Sequence, residues 1–391
     1  MAIEKTTLVT AADSVELQHL FQMLQGLETQ KVDIIAGPHS FQMSEGLLNI
    51  YRNPGSPAMK VSLNNLSMDQ LCQKLTIPPQ YAEKLLASLP TLLDDNINGW
   101  LRHEVKQDQP RNFMLRTYSK DGNTGVLRAV LSDKYFDIST FRLMNEVLAV
   151  VAEMEKETGF QIKAQKCDLT NENIFVRFIV PELEQKSRIL QYFKDGKTGN
   201  QHSGFMTGII FKNSETGRGM YSIAPRIITG ASMTGNIFAD ESVRRMHIGE
   251  RLETGTVEWS KETIEAEINS IMAKTRDGLR KWLSPEFLAQ TVSLFEAAAE
   301  TRLAHPIDVV VNLAAELTLN KRTTQTVLEY LNGCGMGETV FGVVQAFTGA
   351  AKEMSADDRW KVEDAVTKKL LKGDARKYDH RNRAALKFIT Q

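Results

Sequence analysis

The chain has 391 residues, 42% hydrophobic and 24% charged, with three cysteines and a formal net charge of −1. This balance excludes a disordered chain, a collagen-like repeat and a disulfide-stapled miniprotein, and the length allows about two to three ordinary domains. No run reaches the roughly 18 apolar residues of a membrane span, and residues 1–5 lack the basic-then-apolar layout of a signal peptide. The expectation is a cytoplasmic protein without a membrane partner. Charge is uneven: net −4 over residues 1–100, +3 over 101–250, −6 over 251–358 and +6 over 359–391. A basic middle and tail around an acidic stretch can dock a polyanion, or they can simply solvate the chain.

Residues 1–60 read as an irregular N-terminal segment, with a turn cluster at Asn53-Pro54-Gly55-Ser56-Pro57. Ser67 followed by Gln70 has the spacing of a capping box and predicts a helix start. Ile77-Pro78-Pro79 breaks that helix, and Tyr81, Leu85, Leu86 and Leu89 give the next one an apolar side. The pair has the outline of a helix-turn-helix. Its second helix opens on Gln80, Glu83 and Lys84, too few cations for a DNA-reading helix, which favours a structural hairpin.

Residues 111–118 and 124–132 flank Lys120-Asp121-Gly122-Asn123 as a β-hairpin. Phe141, Met144, Val147, Leu148, Val151 and Met154 recur at helical spacing, and Gly159 is placed to end that helix. Two more hairpins follow, over 161–180 and 203–229. From about residue 260 the pattern turns helical, with helices predicted over 261–283, from Ser284-Pro285, and over 307–317, 323–331, 339–352 and 356–371. The fold expected is α+β: an antiparallel, hairpin-built sheet with packed helices over 61–255, a helical region over 256–371, and a basic tail over 372–391.

The common catalytic motifs are absent: there is no phosphate loop, no H-E-x-x-H and no G-x-S-x-G elbow. Gly333-Cys334-Gly335-Met336-Gly337 follows a predicted helix rather than a strand and reads as a helix–helix turn. The seven histidines show no paired ligand spacing, so neither a metal nor a cofactor is expected. Polar density concentrates in two stretches. Arg128 lies within a strand that ends in Ser132, Asp133, Lys134 and Tyr135. Lys212, Asn213, Ser214, Glu215 and Arg218 form the second cluster, with Arg226, Arg244, Arg245 and His247 after it.

Arg128, Lys134, Tyr135, Lys212, Arg218, Arg226, Arg244, Arg245 and His247 are candidate nucleic-acid contacts, cations for phosphates and aromatics for bases. Ser132, Asp133, Asn213, Ser214 and Glu215 form an alternative polar cluster. An enzyme reading would bring Arg128, Asp133, Tyr135, Glu215, Arg226 and His247 into one pocket on an anionic substrate. The structural alternative makes Ser132-Asp133 a turn cap, 213–219 a solvent hairpin and Arg226 a cross-strand ion-pair partner.

R-A-x-L-S-D-x-Y at 128–135, N-S-E-x-G-x-G at 213–219 and R-R-x-H-x-G at 244–249 resemble the phage/plasmid-like family known as domain of unknown function 932. Gln70-Leu71-Cys72, Ile77-Pro78-Pro79-Gln80-Tyr81 and Asn98-Gly99-Trp100-Leu101 fit the same pattern. Where family members place a Cys or Thr with Asn-Gly, this chain reads Gly230-Ala231-Ser232-Met233-Thr234-Gly235. The resemblance implies a phage, prophage or plasmid setting and assigns no activity. The leading expectation is a single-strand-preferring nucleic-acid binder serving recombination or replication, with a host-interaction or structural protein as a third class. Such a binder gains avidity as a homo-oligomer. Two apolar stripes offer an interface or an internal packing face: Val309, Val310, Leu313 and Leu317, and Val340, Val343, Val344 and Phe347.

Overall fold

The computed structural model describes residues 15–53, 55–107, 111–135, 139–192, 204–229, 234–245 and 260–382. Its first stretch is not irregular. It forms helix α1 (Val15–Gln30) and strands β1 (Lys31–Ala36), β2 (Phe41–Ser44), β3 (Leu47–Ile50) and β4 (Met59–Leu63). These strands are too short to show a period, and their partners lie far along the chain. β2 and β3 are joined by Glu45-Gly46, whose φ values of 55° and 74° make the left-handed pair that a two-residue hairpin needs.

Three helices follow: α2 (Asn65–Lys74), α3 (Pro79–Ser88) and α4 (Pro90–Val105). The capping box of α2 pairs Asn64 with Ser67, three residues earlier than Ser67 and Gln70, which releases Gln70 for another task. The first predicted hairpin forms as β5 (Phe113–Tyr118) and β6 (Thr124–Ser132). The first sheet has the order β1-β5-β6-β4-β3-β2 and is antiparallel except where β4 runs parallel to β6. Helices α2 to α4 cover one face, where Leu71, Ile97 and Leu101 meet Leu48, Val61 and Leu115 in one buried cluster.

Helix α5 (Thr140–Thr158) starts on a Ser139 cap and ends at Gly159, whose φ of 74° needs glycine. The second and third hairpins form as β7 (Lys163–Leu169) with β8 (Ile174–Lys186), and β9 (Gly204–Asn213) with β10 (Tyr221–Thr229). With β11 (Thr234–Ile237) they make a second antiparallel sheet, β11-β10-β9-β8-β7, while β12 (Val243–Arg245) also pairs with β10. The C-terminal helices are α6 (Lys261–Trp282), α7 (Pro285–Glu300), α8 (Pro306–Glu316), α9 (Lys321–Gly333), α10 (Val340–Ala350) and α11 (Ala356–Val366). Every residue of β10 is buried, because helices cover both faces of this sheet.

The fold is therefore α+β, with two sheets rather than one. The helical region does not form a core of its own: Phe205, Phe211, Tyr221 and Ile227 of the second sheet share one cluster with Phe295, Phe341 and Val344. The stripes offered for oligomerisation are spent there. Val309, Val310, Leu313, Val340, Val343, Val344 and Phe347 are buried within the chain, and Leu317 packs against them. The tail is docked as far as residue 382, with Asp379 accepting the Ala304 and His305 amides at 2.8 and 2.7 Å. Lys369, just before the tail, pairs with Glu316, and Lys372 of the tail with Asp240 at 2.7 Å.

A candidate nucleic-acid interface at the seam between the sheets

The stretch from Asn213 to Gly217 ends β9 and opens the loop that leads to β10 at Tyr221, and five other segments converge on it. Gln70 of α2 donates to the Thr216 carbonyl at 2.7 Å. Arg116 of β5 donates to the Glu215 carbonyl at 2.8 Å and forms a two-pronged ion pair with Asp33 of β1 at 2.9 and 2.6 Å. The Thr140 amide at the start of α5 donates to the Glu215 carboxylate, and Asn213 donates to the Thr140 hydroxyl at 2.8 Å. Ser214 and Thr216 both donate to the Glu172 carbonyl, at 2.6 and 3.1 Å. Tyr135 reaches the Ser214 carbonyl at 3.4 Å. These polar side chains are thus a clamp between two sheets. Asn213, Ser214 and Thr216 are buried, so the solvent hairpin of the structural alternative is confined to the exposed tip at Gly217 and Arg218.

Arg128 reaches the seam through a bulge. Arg116 pairs with Ala129 and Thr117 with Leu127, so Arg128 is the extra residue of β6. A bulge bends its strand and re-aims the side chain, and here it turns Arg128 toward the β7–β8 turn. There it donates to the Thr170 carbonyl at 3.0 Å and to Asn171 at 3.4 Å. Lys134 and Arg218 are exposed on the same seam. A Cβ at Gly217 would fall 3.8 Å from the Tyr135 ring, so the loop that carries Arg218 approaches the turn that carries Lys134. Tyr135 itself is half-buried, backed by the Arg116 guanidinium 6.0 Å from its ring centre. Ser132 is exposed and Asp133 half-exposed. Ser132 accepts the Lys134 amide at 3.3 Å, which makes the pair the turn cap of the structural alternative.

Arg226 does not join them. It is fully buried beneath α11, where it donates to Gln165 at 2.7 Å and lies 3.5 Å from Glu363. Burial pulls its guanidinium down to about 10, with Glu363 opposing the shift. It also lies four residues, about 13 Å, along β10 from the Lys212–Ser222 pair beside the loop. The single pocket of the enzyme reading is therefore not assembled. Lys212 is half-buried, 5.2 Å from the Trp360 ring and 5.6 Å from Phe175, and burial lowers its pKa. It ties α11 to the sheet. Arg244 is exposed on β12 and donates to Ser242 at 2.5 Å. The Arg245 backbone pairs with Tyr221, and His247 lies outside the described residues.

The cavity at the seam, between Tyr118, Arg128, Thr140 and Glu215, has a volume of about 30 Å³. That is the space of about one water molecule and far below the several hundred Å³ of a substrate pocket. Burial and the nearby Glu215 charge raise the pKa of Tyr118 on its wall. No group of three His, Cys, Asp or Glu side chains among the described residues is placed to hold a metal ion. No described helix is long and apolar enough to cross a membrane.

Sequence reasoning missed Gln70, Arg116 and Asp33 as members of the seam. An arginine inside the apolar strand Phe113–Tyr118 was the available signal, since a charge there has to find a partner. Fold and seam together define a two-sheet α+β protein whose sheets are locked by a polar clamp edged with cations. Comparison with protein-family models, curated proteins and solved structures gives no match.

Proposed function

We propose that this protein binds single-stranded nucleic acid along the seam between its sheets, and that it serves phage or plasmid recombination or replication in a host cytoplasm. One observation carries the reading. Arg128, Lys134 and Arg218 stand on the segments that meet at the seam, half-exposed or exposed, and none has a carboxylate partner among the described residues. Most other cations near them are committed: Arg116 to Asp33, Lys31 to Glu28 at 2.9 Å, Arg177 to Asp168. Cations without a carboxylate partner are the ones that gain by meeting phosphates and releasing counterions. Tyr135, half-exposed beside the Arg116 guanidinium, is the aromatic group this site brings to an unpaired base, which a duplex does not present. The motif resemblance to the phage/plasmid-like family supports the same setting.

Three cations bind a short segment weakly, so function on a long strand calls for several copies acting together. Such an assembly has to use surface other than the two buried stripes. The test is fluorescence anisotropy with a labelled single-stranded oligonucleotide at low salt. The expected result is micromolar binding that the double change Lys134→Glu and Arg218→Glu weakens at least about tenfold. Absence of binding by the unaltered chain at micromolar concentration overturns the reading.

A further inference from the structure

Asn98-Gly99-Trp100-Leu101 is the motif that the seam does not absorb. Two of its residues belong to the fold. Asn98 accepts the Met43 amide and donates to the Met43 carbonyl, both at 2.8 Å, at the edge of the first sheet. Leu101 is buried with Ile97 in the first core. Gly99 and Trp100 serve neither purpose. Gly99 lies inside α4, where glycine weakens a helix, yet an added Cβ would meet nothing within 4 Å. Trp100 is 40% exposed. An open hollow of about 420 Å³ lies beside them, walled by Asp95, Asn96, Gly99, Trp100 and His103 of this one helix.

At about 100° per residue, the outward side of α4 is centred on Gly99, with Ile97 and Leu101 turned the opposite way. Leu92 and Lys106 stand seven residues to either side of Gly99, within about 20° of the same line. Asp95 and Arg102 lie about 40–60° toward one flank. Asn96 and His103 lie about as far toward the other, with Trp100 beyond them. Leu92, Asp95, Arg102 and Lys106 are exposed, and neither Asp95 nor Arg102 has an ion-pair partner among the described residues. Along the axis, Asp95 is about 6 Å before Gly99 and Arg102 about 4.5 Å after it. A second α4 running the opposite way, related by a two-fold axis at Gly99, keeps each flank on its own side. Its Arg102 then falls at the level of the first Asp95, and its Asp95 at the level of the first Arg102. A parallel copy would leave the two charges about 10 Å apart along the axis. The face is therefore complementary to itself in one orientation, which is what an isologous contact requires. A polyanion laid along this flank would instead meet the Asp95 carboxylate.

We propose that a second copy of this chain docks here, α4 against α4 and antiparallel. The missing side chain at Gly99 lets the two backbones approach closely. The indole of each copy enters the hollow beside Gly99 of the other, and Asp95 and Arg102 pair reciprocally. The methylene stem of each Lys106 covers Leu92 of the other copy. This contact uses neither of the apolar stripes buried in the core, and it stands whether or not the chain binds nucleic acid. One helix face per copy is a small interface, so association is expected at about 10 µM or above, with the dilute chain single.

The test is sedimentation of the full chain without nucleic acid, from about 1 to about 200 µM at about 50 mM salt, where surface charges are weakly screened. The expected result is a mass that rises from one chain to two. Gly99→Glu sets like charges against each other on the two-fold axis and should weaken association at least about tenfold, with circular dichroism unchanged. Trp100→Ala should weaken it by about as much. Asp95→Arg alone and Arg102→Asp alone each oppose like charges, and each variant should stay single. An equimolar mixture of these two variants should pair again, because each carries the charges that the other lacks. A chain that stays single at the highest concentration overturns the proposal. So does a pair that survives Gly99→Glu and Trp100→Ala, since its interface then lies elsewhere. A mixture that associates no better than either charge variant by itself overturns the proposal as well, because the reciprocal ion pairs are then absent.

Discussion

Replacing Gln70 with leucine removes both hydrogen bonds of a side chain that spans the two sheets, while nearly preserving its volume. β4 stops pairing with β6 at Leu127, which leaves the outer edge of β6 open beyond that point. Gln70 covers it: its side-chain carbonyl accepts the Val130 amide at 2.9 Å while its amide donates to Thr216. The side chain is 8% exposed, so water does not readily replace either bond. Gln70→Leu leaves a buried N–H and a buried carbonyl without partners, at about 1–3 kcal/mol each. The expected loss is about 2–5 kcal/mol, measured as a lower urea midpoint, with faster amide exchange at Val130 and across 213–217. Gln73→Leu, exposed on the same helix, serves as the control and should stay within about 0.5 kcal/mol. Equal stability of the two variants would refute the clamp.

Gly99→Ala should raise stability by about 0.5–1 kcal/mol in thermal melts, since only helix propensity changes where nothing lies within 4 Å. Gly235→Ala should lower it by about 1–3 kcal/mol, because its Cβ would fall 2.1 Å from the Nε of Arg226, which Gln165 and Glu363 hold in place. Burial, with a smaller contribution from Asp69, pushes the Cys72 thiol up to about 11 from 9.0. The unfolded chain therefore loses this proton first, and stability should be level below about pH 9 and fall toward pH 11. The fall amounts to at most about 2 kcal/mol. Urea midpoints at several alkaline pH values, with Cys72→Ala as the flat comparison, check the sign.

The elements visible in the sequence are those whose signals are local. Asp121 ends the first hairpin by accepting the Asn123 and Thr124 amides at 2.8 Å, within three residues of itself. Ser284 caps α7 and Pro285 opens it, both within one turn. The long apolar period of α5 needs no outside partner to be read. What stayed hidden depends on distant chain. β1 is a strand because β5 pairs with it, Ile34 opposite Leu115. The polar run at 213–217 looks solvent-facing until Gln70, 146 residues before Thr216, is brought to it. Arg226 looks like a surface cation until Glu363 of α11 covers it. The same causes separate Arg128, Lys134 and Arg218, which remain accessible at the seam, from Lys212 and Arg226, which are spent on the core.

The salt dependence of single-strand binding tests the central proposal most directly. Three cations meeting phosphates at the seam predict that log K falls with log salt at a slope of about −2, at roughly 0.7 per contact for a single strand. Charge reversal at Lys134 and Arg218, which leaves Arg128, should flatten the slope to about −0.7 or less if the seam is the only phosphate contact. A slope that is already near zero in the unaltered chain, or that survives the reversal undiminished, would contradict the account.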